Sequence, residues 1–169
     1  MIPIVDLKKQ IAPIRKELDL AIKHVIDNTN FVLGKEIQEL EDAVTEYCKV
    51  RHAVAVSNGT DAIRLALLAL GIKPGEGVIS PAFTYYATCG AIASIGAIPV
   101  FADIDPDTYN ISSLSVKEAL KRKNKFKIKA IVPVHLYGQC ADMESILEIA
   151  ARYNLKVVED AAQAFGAEY

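Results

Sequence analysis

The chain has 169 residues, 51% of them apolar, with 19 lysines and arginines against 21 aspartates and glutamates. That is enough apolar material for one domain with a sizeable core and too much for a disordered segment. A formal net charge of -2 and a pI of about 5.9 give no general attraction to nucleic acid or anionic lipid, which weighs against both as partners.

The N-terminal run Met1-Ile2-Pro3-Ile4-Val5-Asp6-Leu7-Lys8-Lys9 meets charge too early for a secretory signal, and no stretch of about 18 apolar residues is present for a membrane span. A cytoplasmic protein is therefore expected. Cys48, Cys89 and Cys140 lie far apart without C-x-x-C spacing, so free and mostly buried thiols are expected, with neither a disulfide framework nor a metal site.

From Asp6 to about Asn28, the residues Leu7, Ile11, Ile14, Leu18, Ala21, Ile22, Val25 and Ile26 recur at three- and four-residue steps, predicting a helix with one buried face. Pro13 is expected to kink or divide it. After Gly34 a second helix is expected, with Ile37, Leu40, Ala43, Val44 and Tyr47 on one stripe. Residues 1–50 thus form a helical segment ahead of the first strand.

Beyond Arg51 short apolar runs alternate with helical patterns. Ala53–Ser57 reads as a strand, Thr60–Leu70 as a helix closed by Gly71, Gly77–Ser80 as a strand and Tyr85–Ile95 as a helix. A strand at Ile98–Ala102, a helix at Ser115–Lys121, a strand at Lys129–Val134, a helix at Met143–Tyr153 and a strand at Lys156–Glu159 complete the pattern. Apolar strands separated by helices predict a largely parallel sheet covered on both faces, a three-layer α/β/α fold over 51–169. Ligands of such sheets sit beyond the C-terminal ends of the strands, so the segments that follow each strand carry the functional interest.

The first of these is Ser57-Asn58-Gly59-Thr60-Asp61. Gly59 keeps a side chain away from any ligand on the backbone, and Thr60 and Asp61 are types that cap free helix N–H groups, which together suit a phosphate. The same residues also make an ordinary turn and N-cap. Tyr85 and Tyr86 could stack on a planar heterocycle or simply pack, and Asp160 could pair with a heterocyclic nitrogen or cap the next turn. Alternation sends Glu159 and Asp160 to opposite sides. Gln163 returns to the neighbourhood of Asp160 if a helical turn starts there, or else decorates the surface. His135 is a general acid or base only if it has a partner, and is otherwise structural. The basic run Lys121–Lys129 reads as a solvated connection in preference to a polyanion site, and Asp103, Asp105 and Asp107 as a turn in preference to a metal loop.

These motifs, in the order Ile2-Pro3-Ile4-Val5-Asp6-Leu7, Ser57-Asn58-Gly59-Thr60-Asp61-Ala62, Pro81-Ala82-Phe83-Thr84-Tyr85 and Glu159-Asp160-Ala161-Ala162-Gln163, resemble the DegT/DnrJ/EryC1/StrS sugar aminotransferases. Those are pyridoxal-phosphate enzymes of the aspartate-aminotransferase fold (fold type I), and the resemblance runs over essentially the whole chain. It implies pyridoxal 5'-phosphate as cofactor, with Gly59 and Thr60 on its phosphate, Tyr85 stacked on the ring, Asp160 on the ring nitrogen and Gln163 at the ring's 3-oxygen. Tyr86 is the second candidate for the stacking ring. It further implies amino transfer, with glutamate as the expected donor, to a nucleotide-linked keto-sugar, and a homodimer. Glutamine at 163 in place of histidine resembles the subgroup handling 3-keto sugars.

The family's Schiff-base lysine lies downstream in a Ser-x-x-x-x-Lys type segment, and no lysine here matches it. The resemblance therefore implies an N-terminal portion of the large domain over 51–169, without the rest of that domain or the small C-terminal domain, and a chain inactive by itself. A non-catalytic regulatory or interaction protein of the family and a generic nucleotide-binding α/β domain are the competing expectations.

Overall fold

The structure is a computed structural model that describes Pro3 and residues 5–169; Met1, Ile2 and Ile4 of the N-terminal motif lie outside the described residues. The chain divides into two compact units, one ending at Ala55 and the other Val56–Tyr169.

In the N-terminal unit, α1 (Leu7–Ile11) starts where the Asp6 side chain accepts the Lys9 N–H at 3.0 Å. Pro13 sits in a 3-10 turn, Ala12–Ile14, which separates α1 from α2 (Arg15–Asn28). Proline lacks the N–H a continuous helix would use there, so the single long helix becomes two. The left-handed Thr29 ends α2, and α3 runs Lys35–Cys48. The expected buried face is absent: no described residue of α1, α2 or α3 is buried, and Leu20, Ile22 and Ile26 are exposed. The apolar stripe follows from local spacing, whereas burying it needs a neighbour. Ala53–Ser57 is likewise not a strand. The Ala55 N–H is taken by the Glu41 carboxylate at 2.7 Å instead of by a ladder carbonyl.

The second unit is a four-stranded parallel sheet in the order β2-β1-β3-β4, with β1 Gly77–Pro81, β2 Ile98–Ala102, β3 Ile128–Ile131 and β4 Lys156–Val157. Its helices are α4 (Gly59–Ala69), α5 (Tyr86–Ser94), α6 (Ser113–Lys121) and α7 (Met143–Tyr153). Period-two alternation divides the core between the faces. Val78, Ala130 and Val132 pack with Ile63 and Leu67 of α4 and Ala91 and Ile92 of α5. Ile79 and Ile131 pack with Val116 and Ala119 of α6 and Ile146 and Ile149 of α7. The expected α/β/α layering is thus present.

β3 and β4 are shorter than predicted because Pro133 has no N–H to continue the ladder. Their pairing nevertheless persists: Val158 N–H donates to Ile131 O at 3.1 Å, Asp160 N–H to Pro133 O at 2.9 Å and His135 N–H to Asp160 O at 3.0 Å. This register carries Asp160 to the C-terminal rim of the sheet. Among the described residues no helix is long and apolar enough to cross a membrane.

Candidate active site

A cavity of about 420 Å³ opens at that rim, and the residues lining it include Asn58, Gly59, Thr60, Thr84, Tyr85, Asp160 and Gln163. Gly59, Thr60, Tyr85, Asp160 and Gln163, from three segments remote in sequence, meet there.

The first wall is the start of α4. The N-cap is Asn58 rather than Thr60 or Asp61; its side chain accepts the Asp61 N–H at 2.9 Å, and its carbonyl accepts the Ala62 N–H at 3.0 Å. No acceptor among the described residues meets the N–H groups of Gly59 and Thr60, which sit at the positive end of the helix dipole. Asp61 is turned aside: it accepts the Ser57 hydroxyl at 2.5 Å and pairs with Arg64 at 2.8 Å. The Ser57 hydrogen bond foremost holds its carboxyl below the usual range. Gly59 is not in a tight turn but is the first residue of the helix, and a Cβ built on it would meet nothing within 4 Å. Neither packing nor backbone angle demands glycine there. What the missing side chain leaves open is the approach to the backbone from the cavity.

The second wall follows β1. Tyr85 lines the cavity and is 78% exposed, so its ring is available to a ligand. Tyr86 does not line it; its ring lies over Gly90 of its own helix, where a Cβ would come within 3.0 Å of the Tyr86 Cε1.

The third wall is the segment after β4. Asp160 accepts the Thr88 hydroxyl on Oδ2 at 2.8 Å and the Ala162 N–H on Oδ1 at 3.2 Å. Asp160 thus caps the next turn while lining the cavity. Gln163 Oε1 accepts the backbone N–H of Tyr137 at 2.9 Å. Only the amide oxygen can accept that bond, so the Gln163 NH₂ group is left as donor. Tyr137 is held left-handed, at φ 57°, in the turn after β3.

Thr88 was not singled out from the sequence. It is a buried threonine in a helix of small residues, and its partner lies 72 residues away. The only local signal was its position one helical turn beyond Thr84 and Tyr85.

The other candidates are accounted for outside the cavity. His135 is buried; its Nδ1 accepts the Ala141 N–H at 3.0 Å, which leaves Nε2–H to donate to Glu159 at 2.9 Å. Both ring nitrogens are satisfied, and the histidine is structural. The His135 hydrogen bond lowers the Glu159 pKa below its ordinary 4.5. Asp105 closes its own turn by accepting the N–H groups of Asp107 and Thr108, each at 3.0 Å. No cluster of His, Cys, Asp or Glu able to hold a metal occurs among the described residues. The basic run leads into β3 at the opposite end of the sheet. Cys48 is exposed and Cys89 and Cys140 half-buried, so the thiols are free but less buried than expected.

A family model of the DegT/DnrJ/EryC1/StrS aminotransferases matches residues 13–169. The chain belongs to that family. Among its relatives is the UDP-2-acetamido-2-deoxy-3-oxo-D-glucuronate aminotransferase of Pseudomonas aeruginosa, 44% identical over all of this chain and 46% of its own length. Another, from Geobacillus stearothermophilus, bears the name pleiotropic regulatory protein and is 46% identical over 99% of this chain and 44% of its own. The solved structure of NtdA from Bacillus subtilis, with bound cofactor PMP, matches with a TM-score of 0.90 at 37% identity, covering 98% of this chain and 37% of that one. The chain thus spans less than half the length of each.

Proposed function

We propose that this chain forms the cofactor-binding part of a pyridoxal 5'-phosphate-dependent aminotransferase acting on a nucleotide-linked keto-sugar. The reading rests above all on one observation, the convergence of Gly59, Thr60, Tyr85, Asp160 and Gln163 on one cavity. The residues fit the cofactor: unclaimed N–H groups at Gly59 and Thr60 suit its phosphate, the Tyr85 ring its flat face, the Asp160 carboxylate its ring nitrogen and the Gln163 NH₂ its 3-oxygen. The open space over Gly59, where a Cβ would meet nothing, is the cradle such a phosphate would fill.

When bound, pyridoxal phosphate supplies the electron sink for moving an amino group. The residues of this chain bind and orient it, and Asp160 keeps the ring nitrogen protonated, because an adjacent negative charge favours the cation. No lysine lines the cavity among the described residues, so the covalent anchor and proton carrier is a residue outside these walls. A keto group at the sugar's third carbon is favoured by glutamine at 163 and by the 3-oxo substrate in the Pseudomonas relative's name. Glutamate is the proposed amino donor, and the complete enzyme is proposed to be a cytoplasmic homodimer whose large domain begins in this chain.

Titration with pyridoxal phosphate, followed by absorbance in the wild type and in Asp160→Asn, tests the reading. Weaker binding and an altered cofactor spectrum are expected in the variant, and identical behaviour overturns the role of Asp160. The name of the Geobacillus relative favours a second reading, a regulatory protein of the family. Cofactor uptake without amino transfer by the full-length protein, given glutamate and nucleotide-linked 3-keto sugars, would favour it.

A further inference from the structure

Among the described residues Asp160 is the one carboxylate on the cavity wall, and no lysine, arginine or histidine of them lines it. Its orientation therefore decides whether a cationic ring nitrogen finds a partner. One oxygen is held by the Ala162 N–H of its own segment, at 3.2 Å. The other is held from a different element by the Thr88 hydroxyl, at the shorter 2.8 Å.

Thr88 is only 1% exposed and does not line the cavity, so it would not touch a ligand there. A threonine inside a helix commonly returns its hydroxyl to the carbonyl one turn back. Here the Thr88 hydroxyl instead meets the Thr84 hydroxyl at 3.2 Å and Asp160. A hydroxyl has one proton, and a carboxylate can only accept. With the Thr88 proton committed to Asp160, Thr84 must be the donor in the other bond. The result is a one-way chain, Thr84 to Thr88 to Asp160, in which each bond polarises the next. It reaches back to the residue beside Tyr85, and so ties the acidic wall to the aromatic one.

We propose that Thr88, backed by Thr84, is a positioning residue that aims the Asp160 carboxylate at the ring nitrogen of the cofactor. The proposal rests on the pyridoxal-phosphate reading of the cavity. Its physical content is that the donor is neutral: it fixes the carboxylate without bringing a second positive charge to compete with the ring nitrogen, and it does not titrate.

Pyridoxamine phosphate labelled with nitrogen-15 in the ring tests this in the full-length protein, because it binds without a covalent link to lysine. The readouts are its affinity by fluorescence titration and its ring-nitrogen resonance by NMR. Thr88→Val keeps the shape and removes the donor; about tenfold weaker binding is expected, with the resonance moved toward that of neutral pyridine. Thr88→Ser restores the donor and should match the wild type in both, and Thr84→Val should shift both in the same direction by less. Wild-type affinity and resonance in Thr88→Val overturn the proposal, as does a Thr88→Ser variant as impaired as Thr88→Val, since the methyl group would then be what matters. If Thr88→Val does not fold, Thr84→Val decides: a shifted resonance upholds the chain and an unchanged one overturns it. Wild-type protein that takes up no pyridoxamine phosphate overturns the functional reading itself, a result distinct from cofactor bound with an indifferent Thr88.

Discussion

The N-terminal helices and the rim of the sheet make an instructive pair. Both are legible as patterns in the sequence, and both leave side chains in the open. In α2 the exposed residues include apolar ones, such as Ile22 at 58%. Local spacing gave them a common face, and nothing within their own unit buries it. At the rim, the exposed Tyr85 stands among groups that are held: Asp160 by two donors, Gln163 by a backbone N–H, Asn58 by its cap. Exposure in the first region reflects the lack of a covering element within its own unit, and in the second it accompanies a fixed arrangement with unused hydrogen-bonding capacity directed at a cavity.

The largest expected effect tests the core against the helices. Leu67 of α4 is completely buried, so Leu67→Ala should cost about 2–5 kcal/mol in urea denaturation, whereas Ile22→Ala should cost under about 0.5 kcal/mol. A large loss at Ile22 would show that the α2 stripe is covered in solution, and would break the comparison. At the rim, Asp160→Asn should weaken pyridoxal-phosphate binding about 10- to 100-fold, the usual worth of a hydrogen bond to a charged group, with little change in the urea midpoint.

Gly59→Val separates ligand from fold more finely. Because a Cβ there meets no protein atom, the stability change should stay near or below about 1 kcal/mol, while phosphate binding, read with inorganic phosphate or the cofactor, should fall several-fold. A stable variant with unimpaired binding would remove the phosphate from the start of α4. The smallest effect is expected at Glu159, whose side chain is 53% exposed and therefore screened. Its lowered pKa contributes stability above the ordinary carboxylate value of 4.5 that is lost as pH falls through the folded value. Unfolding free energies from urea denaturation of the wild type and Glu159→Gln should thus differ by under about 1 kcal/mol at pH 7 and converge toward pH 3. A gap that widens in acid would reverse the sign and refute the His135 hydrogen bond as its cause.

Much of the fold was readable locally. β2 (Ile98–Ala102) and α7 (Met143–Tyr153) lie where the sequence predicts them, α7 between an Asp142 cap and the left-handed Asn154. The boundaries of α7 rest on neighbouring residues alone. The misjudged element, Ala53–Ser57, has the right composition for a strand, but a strand is a relation between two segments. Its Ala55 N–H found a glutamate instead.

The site divides in the same way. Gly59, Thr60, Tyr85, Asp160 and Gln163 could be named from the sequence because their motifs resemble the family's and because parallel sheets put ligands at one end, although the segment ahead of Gly59 is not the strand expected there. Local order alone could not separate Tyr85 from Tyr86, give His135 to Glu159, or bring Thr88 to Asp160 across 72 residues. Those pairings depend on strand register and helix rotation, which only the packed sheet determines. The sequence decided which groups are present and on which rim they stand, and the tertiary structure decided which of them are already engaged with one another and which remain free to meet a ligand.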